Sequence, residues 1–218
     1  MRINGAIFDM DGTLLDSMKI WHNVGESFLI SRGITPEENL WDKIKSMSLF
    51  QAAVYFREQY GLNETVDDIV DASNKLVEDF YFNEATVKRG VVEYLKRLSD
   101  NGVKMCVATA TDKYLAQAAL KRNNIDEYFC DVITCSSVGF GKDRPVIFRK
   151  ALEVLGTDRE NTAVFEDSLY AASTARNDGF FVVGVFDESE AHNNNKLRSV
   201  VNLYADGFYE TKTVNSIL

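Results

Sequence analysis

The 218-residue sequence has few of the residues that usually mark a thiol or imidazole nucleophile, a zinc site or a disulfide framework. It contains two histidines and three cysteines, and Cys106, Cys130 and Cys135 follow no metal-ligand spacing. No motif surrounds His22 or His192. Cys106 lies in an apolar stretch, so we expect a buried free thiol and a reducing compartment.

Positive charge and long apolar runs are also scarce. The net charge of −9 and the pI of about 4.8 argue against binding nucleic acid or an anionic membrane through bulk electrostatics. A local cation or metal could still attract a small phosphorylated molecule. No apolar segment reaches membrane-spanning length, and the first residues carry an acidic motif where a signal peptide needs an apolar run. We therefore expect a cytoplasmic protein, monomeric by default.

The composition is that of an ordinary globular protein, with 45% hydrophobic and 26% charged residues. An apolar stretch at 3–8 predicts a buried strand, and the pattern is then helical to about residue 87. Four helices are expected there, the second running from an N-cap at Thr35 and a first-turn Pro36 to Ile44. Residues 17–87 hold 12 acidic against 6 basic residues, which is typical of a solvated outer face.

From Gly90 onward, predicted helices alternate with short apolar strands. The strands are expected at 103–108, 132–134, 162–165 and 180–185, with a weak one at 203–205. This alternation predicts an α/β fold, a parallel sheet covered by helices on both faces. Residues 193–195, three asparagines in a row, are predicted to form a polar loop. Residues 1–16 and 88–218 would form the core, and 17–87 a four-helix cap domain.

Polar residues collect where four of the predicted strands end. In an open parallel sheet these ends lie together and form the usual ligand site. Each group alone has an ordinary structural interpretation: an acidic turn, a turn threonine, a solvated lysine, or a helix N-cap beside an acid. The groups, in chain order, are Asp9 with Asp11, Thr109-Ala110-Thr111, Lys142, and Glu166-Asp167-Ser168.

Taken together, these residues supply the parts needed for phosphoryl transfer. Asp9 and Asp167, with Glu166 as a further candidate, offer the hard oxygen ligands that Mg²⁺ prefers. A metal there would screen Asp9 from a phosphate dianion, so that its carboxylate could act as the nucleophile. Lys142 could neutralise charge in the transition state and keep Asp9 ionised.

The remaining two groups complete the predicted chemistry. Thr109 could donate its hydroxyl to phosphate oxygens, together with nearby backbone amides such as that of Ala110. Asp11, two residues beyond Asp9, could protonate the leaving oxygen and then deprotonate the attacking water. No histidine or cysteine nucleophile is needed.

Asp9-Met10-Asp11-Gly12-Thr13, with Thr109, Lys142 and Glu166-Asp167, resembles the haloacid dehalogenase superfamily, specifically its phosphatases with a helical cap inserted after the first motif. The resemblance covers essentially the whole chain. It implies a doubly wound sheet of strand order 5-4-1-2-3 and a Mg²⁺-dependent hydrolase of a small phosphorylated metabolite.

The same resemblance implies a role for each matching residue. Asp9 would be the phosphoaspartyl nucleophile, and Asp11 the acid/base whose backbone carbonyl also binds Mg²⁺. Thr109 and Lys142 would bind phosphate, and Asp167 would be the second carboxylate ligand, with Glu166 as a further metal-ligand candidate. The pair Asp16-Ser17 matches the hinge into the cap.

The sequence departs from the family pattern at several positions. Asp143 places an unusual charge beside Lys142, and Ala110 replaces the usual asparagine. Related sugar-phosphate mutases carry a cap arginine and a histidine where an ungapped comparison puts Leu49 and Trp21. Both changes favour hydrolysis, and the mutase is kept as the alternative. Candidate substrate contacts in the cap are Trp21, His22, Lys45 and Ser48.

Two other classes of protein share parts of this pattern. A response-regulator receiver also groups acids, a threonine and a lysine around Mg²⁺, but its phosphorylated aspartate lies on a middle strand of a much shorter domain. A catalytically inactive family member could serve as a binding module, although every core position here is filled. Turnover of a phosphate ester would separate an enzyme from that module.

Overall fold

A computed structural model describes residues 2–210 and 215–217. Its six strands form one sheet in the order β3-β2-β1-β4-β5-β6, with every neighbouring pair parallel. The first strand lies at the centre, and the expected order of five strands is extended by a sixth at one edge. The strands are β1 (Gly5–Phe8), β2 (Lys104–Thr109), β3 (Val132–Thr134), β4 (Thr162–Glu166), β5 (Phe181–Val185) and β6 (Leu203–Ala205).

Side chains of the central strands alternate between two apolar layers, as the two-residue period of a strand requires. Ala6 and Phe8 pack on one face of β1, whereas Ile7 packs on the other. Phe8 stacks on Phe165 of β4 at 4.3 Å between ring centroids. Both faces are buried, which explains why these strands are almost continuously apolar.

Helices cover both faces of the sheet, which confirms the expected doubly wound α/β fold. One apolar layer includes residues of α5 (Val91–Asp100) and α6 (Lys113–Arg122). The opposite layer includes residues of α8 (Val146–Leu155), α9 (Leu169–Asn177) and α10 (Asn194–Val200). A short helix, α7 (Cys135–Val138), follows β3. Within the described ranges, no helix combines the length and apolar character needed to cross a bilayer.

Between β1 and α5 the chain forms a helical insert with an apolar cluster of its own, in which Phe28 stacks on Phe56 at 5.6 Å. Ser48 and Thr65 begin their helices with capping boxes, as their sequence context indicates. The insert comprises α1 (Met18–Ile30), α2 (Leu40–Ile44), α3 (Leu49–Tyr60), α4 (Val66–Asp79) and a π-helical turn (Phe80–Glu84).

The predicted start of the second helix is wrong. The helix begins at Leu40, after Asn39 with φ of 59°, and not at Thr35-Pro36. Glu37 is instead held against α3, where its carboxylate accepts a hydrogen bond from Tyr55. Its backbone N–H donates to the hydroxyl of Tyr60 at 3.3 Å. These tertiary contacts outweigh the local capping signal.

The polar loop predicted at 193–195 is also wrong. The segment ends a 3-10 helix and opens α10 (Asn194–Val200). Leu197 is buried and supplies the apolar contact that holds this helix on the sheet. Val200 packs against the same apolar layer, so tertiary contacts order a short helix whose first residues are polar.

Candidate functional site

The predicted site residues converge at the carboxyl ends of β1, β2 and β4. Asp9 directly follows β1, Thr109 ends β2 and Glu166 ends β4. These three strands are neighbours in the sheet, so their ends meet at one edge. Lys142 reaches the same point from the loop before α8. All four side chains are buried, as is Asp167. We call this group of residues the floor.

Lys142 connects two of the buried acids. Its ammonium group donates to Asp9 Oδ1 and, at 2.5 Å, to Glu166 Oε1. Burial acts to lower the pKa of Lys142, but the facing charges of Asp9 and Glu166 outweigh it and raise that pKa well above its ordinary value. Asp143, expected to disturb this lysine, is exposed to solvent. The cation therefore stays charged beside Asp9.

Glu166 is held at both oxygens. One accepts from Lys142, and the other accepts from the Ser168 hydroxyl at 3.2 Å. Burial raises the pKa of Glu166 from 4.5 to about 7, against the opposing effect of Lys142. Since both of its carboxylate oxygens already accept a hydrogen bond, Glu166 is better placed to orient Lys142 than to bind a metal directly.

Asp167 lies against the turn that follows β1. Its Oδ1 accepts a hydrogen bond of 3.0 Å from the Thr13 hydroxyl. Gly12 has φ of +83°, and a Cβ there would stand 2.4 Å from Asp167 Oδ2, so only glycine fits. Lys88 donates to the Gly12 carbonyl oxygen at 2.7 Å and so fixes the turn. Burial, followed by the charge of Asp9, raises the pKa of Asp167 well above its ordinary value.

The three acids Asp9, Glu166 and Asp167 form the one cluster of potential metal ligands among the described residues, with one oxygen from each lying within 4.8 Å of the others. Three buried carboxylates beside a single lysine leave an excess of negative charge, which is costly unless a cation compensates it. Hard oxygen donors in this number suit Mg²⁺. The donor set thus fits the expected metal, with Asp9 and Asp167 its most available ligands. The Asp11 side chain lies outside this cluster.

Asp11 is held by three hydroxyl groups. Its Oδ1 accepts from Ser17 at 2.6 Å and from Tyr81, and its Oδ2 accepts from Thr111 at 2.6 Å. Burial, and then the charge of Asp9, raises the pKa of Asp11 despite these bonds. A carboxyl group whose pKa is raised towards neutrality is suited to exchange protons.

Thr109 and Ala110 lie at the carboxyl end of β2. The Thr109 hydroxyl oxygen accepts the backbone N–H of Thr111 at 3.0 Å, which shapes the turn after the strand. Both Thr109 and Ala110 line the cavity above the floor. The structure therefore brings together all the residues of the predicted catalytic group.

A cavity of about 140 Å³ lies between the floor and the helical insert. We call the insert residues that line it the wall. Trp21 and Lys45, two predicted contacts, are part of the wall; His22 and Ser48 are not in the lining. The wall also includes apolar side chains from α1, α2, the α2–α3 turn and α3, among them Met18, Trp41, Ile44, Met47 and Leu49.

Sequence reasoning missed Tyr81 and Trp41. Tyr81 belongs to the π-helical turn and joins Trp21 of the insert to Asp11, because its hydroxyl donates to Asp11 and accepts from Trp21 Nε1 at 2.5 Å. Trp41 lines the cavity and is stacked on His22 at 4.9 Å. A lone tyrosine or tryptophan in an amphipathic helix is indistinguishable from a core residue, so no signal in the sequence could have identified either.

The fold and the floor define an α/β enzyme whose acidic centre, braced by a buried lysine, lies under a helical insert. The sequence profile of the haloacid dehalogenase-like hydrolases matches residues 6–185, and the chain belongs to that family.

Two known proteins of similar sequence are phosphatases by name. The chain is 24% identical over 177 residues to the phosphorylated carbohydrates phosphatase of Thermotoga maritima, covering 81% of this chain and 82% of that protein. It is 23% identical over 179 residues to pyrophosphatase PpaX of Bacillus cereus, with 82% and 81% covered. The resemblance and the expected class of enzyme, a phosphatase of the haloacid dehalogenase type, are confirmed.

Among solved structures, CbbY from Rhodobacter sphaeroides in complex with phosphate superposes with a TM-score of 0.85. The two chains are 19% identical, and the alignment covers 99% of each. The likeness at this level of identity is one of fold, and it extends over the insert as well as the sheet.

Proposed function

We propose that the protein hydrolyses a small phosphate monoester in a Mg²⁺-dependent reaction, through a phosphoryl group carried on Asp9. The observation that carries the proposal is the contact of Asp9 with Lys142 inside a cluster of buried acids. The Lys142 ammonium group places positive charge directly against the Asp9 carboxylate, the group that acts as the nucleophile in this proposal.

In the first half of the reaction, a carboxylate oxygen of Asp9 attacks phosphorus and the bond to the leaving oxygen breaks. The carboxyl group of Asp11 gives its proton to that oxygen, so the product leaves as a neutral alcohol. Thr109 and Lys142 bind phosphate oxygens and offset their charge.

In the second half, Asp11 accepts a proton from water, whose oxygen attacks phosphorus. The bond to Asp9 breaks, which regenerates its carboxylate and releases phosphate. Mg²⁺ held by Asp9, Asp167 and the Asp11 backbone carbonyl would supply positive charge to the phosphate throughout. Glu166 keeps Lys142 in place.

We also propose that residues 17–87 act as a cap domain on a core of residues 1–16 and 88–218, with the pair Asp16-Ser17 as the hinge. The Ser17 hydroxyl donates a hydrogen bond of 2.6 Å to Asp11, so movement of the hinge would change the hydrogen bonding of the proposed acid/base. The cap would exclude water while the phosphoryl group is on Asp9.

The mutase alternative requires a cap group that grips a second phosphate. Leu49 lines the cavity at the position compared with the mutase arginine. Lys45 is the one cation among the described wall residues, and it pairs with Asp42 at 2.7 Å. These features support hydrolysis over transfer to a second phosphate site.

The test is phosphate release from simple esters with and without Mg²⁺, in the wild type and in Asp9→Asn. We expect Asp9→Asn to lower kcat by at least about 10⁴-fold, the scale seen when a nucleophile is removed. Asp143→Asn, an exposed acid next to Lys142, is the matched control and should retain activity. Turnover surviving in Asp9→Asn would exclude the proposed nucleophile, and no turnover by the wild type would favour a binding module.

A further inference from the structure

We infer that the substrate carries a single phosphate on a compact, uncharged and largely apolar alcohol. This inference rests on the proposed function, because it concerns the half of the substrate that faces away from Asp9. Nine of the twelve wall residues are apolar, and the other three are Gly25, Lys45 and Ser73.

Two of the polar groups of the wall, the Ser73 hydroxyl and the Trp21 indole N–H, are already paired within the protein. The Ser73 hydroxyl donates to the Ile69 carbonyl oxygen at 2.8 Å, and the Trp21 indole N–H donates to Tyr81. A sugar or polyol lying against the nine apolar wall residues would bury most of its hydroxyl groups without protein partners, and each unpaired group opposes binding. An alkyl or aryl group has no such cost and gains from leaving water.

The charges around the cavity disfavour a second anionic group. The Lys45 ammonium group is neutralised by Asp42 at 2.7 Å, and Glu190 adds a negative charge to the lining. On the floor, Lys142 is shared between two carboxylates. A bisphosphate or a phosphorylated carboxylic acid would therefore place its second charge against an apolar or acidic surface.

The size of the cavity limits the alcohol. The volume of about 140 Å³ includes the space above the floor that the phosphate would take, and the whole is close to an engineered apolar cavity of about 150 Å³ that takes up benzene, so a benzene-sized group is an upper limit for the alcohol. Both tryptophans of the chain line it, and the stack on His22 fixes the ring of Trp41. A single ring or a short branched chain matches these walls, whereas a nucleotide base with its ribose exceeds the available space.

The experiment compares two esters of similar size and of the same type of leaving group, a primary alcohol. Cyclohexylmethyl phosphate and glucose 6-phosphate are assayed with the Mg²⁺-loaded full chain. We expect kcat/KM to be at least about tenfold higher for cyclohexylmethyl phosphate, since filling an apolar pocket discriminates by about 10- to 200-fold per group.

Two variants on α3 test whether the wall is the source of the preference for cyclohexylmethyl phosphate. Leu49→Gln places an amide in the wall and should reduce the preference for cyclohexylmethyl phosphate by about tenfold. Phe50→Gln makes the same kind of change at the next residue, whose side chain is 51% exposed and lies outside the lining. It should leave the preference unchanged, which controls for effects on the helix itself.

Binding provides a second readout that needs no turnover. Because both tryptophans face the cavity, their fluorescence should respond to cyclohexylmethyl phosphate at concentrations at least tenfold below those needed for glucose 6-phosphate. Equal or better hydrolysis and binding of glucose 6-phosphate would overturn the inference and leave the phosphatase standing. Tight binding of cyclohexylmethyl phosphate without hydrolysis of either ester would instead contradict the proposed function.

Discussion

The floor and the wall face each other across one cavity but are built in opposite ways. On the floor, five buried polar side chains are tied to one another and to neighbouring turns by hydrogen bonds and ion pairs. The wall is mostly apolar, and its one lysine is neutralised on the insert itself. The floor therefore holds the chemistry, while the wall selects the part of the substrate that does not react.

The two regions also differ in how they depend on their surroundings. A buried charge is tolerated only with its partners in place, so the floor should respond sharply to any single change. An apolar wall can repack around a substitution and should respond in specificity more than in rate. Three predictions test this difference, beginning with the largest effect.

Lys142→Met and Lys45→Met remove the cation of each region. Lys142→Met leaves Asp9 and Glu166 facing each other without a positive charge, and we expect kcat/KM to fall by about 10³-fold. Lys45→Met removes a cation that Asp42 already neutralises, so kcat/KM should change by less than about threefold. Steady-state kinetics on one ester measures both. Similar losses in the two variants would show that floor and wall are not functionally distinct.

Tyr81→Phe breaks the hydrogen-bond chain that runs from Trp21 of the wall through Tyr81 to Asp11, the proposed acid/base beside the floor. Asp11 keeps its bonds from Ser17 and Thr111, so we expect kcat for an alkyl phosphate to fall by about tenfold. A nitrophenyl phosphate, whose leaving group needs no proton, should be affected much less. Tyr209→Phe, at an exposed tyrosine, is the control. Equal losses with both esters would argue against proton transfer by Asp11.

The metal-free floor should make stability depend on pH. The pKa of Glu166 is raised by burial from 4.5 to about 7, so the native state binds more protons than the unfolded chain between these values. Stability should therefore fall by about 3 kcal/mol as the pH rises through this window, lowering the melting temperature by several degrees. Thermal melts at about pH 5 and pH 7.5 measure it.

Two variants test whether the pH dependence of the melting temperature comes from the floor or from the wall. Glu166→Gln, on the floor, should flatten the pH dependence, whereas Leu49→Gln, on the wall, should leave its slope unchanged. Added Mg²⁺ should raise the melting temperature most at the higher pH, where the carboxylates are ionised. A metal-free protein that becomes more stable from pH 5 to 7.5 would contradict this account of the floor.

The floor could be predicted from the sequence because the topology of a parallel sheet determines where residues at the ends of its strands lie. Once Asp9, Thr109 and Glu166 are placed at the ends of parallel strands, the sheet itself brings them together. The capping boxes at Ser48 and Thr65 are likewise local signals, because each joins residues three apart in the chain. Such features depend on residues close in the chain or on a regular sheet.

The wall could not be predicted in the same way, because a cavity-facing apolar residue has the same pattern as a core residue. Only the packing of the insert over the floor distinguishes Trp41 and Met47, which face the cavity, from ordinary core residues. The prediction of where α2 begins is wrong for a related reason, since Glu37 is held by Tyr55 and Tyr60 of another helix. Contacts between elements decided each of these cases.

The central claim is that Asp9 carries the phosphoryl group, and the most direct test is to trap it. Enzyme mixed with an ester and Mg²⁺ is quenched within one turnover and reduced with borohydride, which converts an aspartyl phosphate to homoserine. Peptide sequencing by mass spectrometry should find homoserine at position 9 and an intact aspartate at position 11. Homoserine at position 11, or complete turnover with neither position modified at any quench time, would contradict the account.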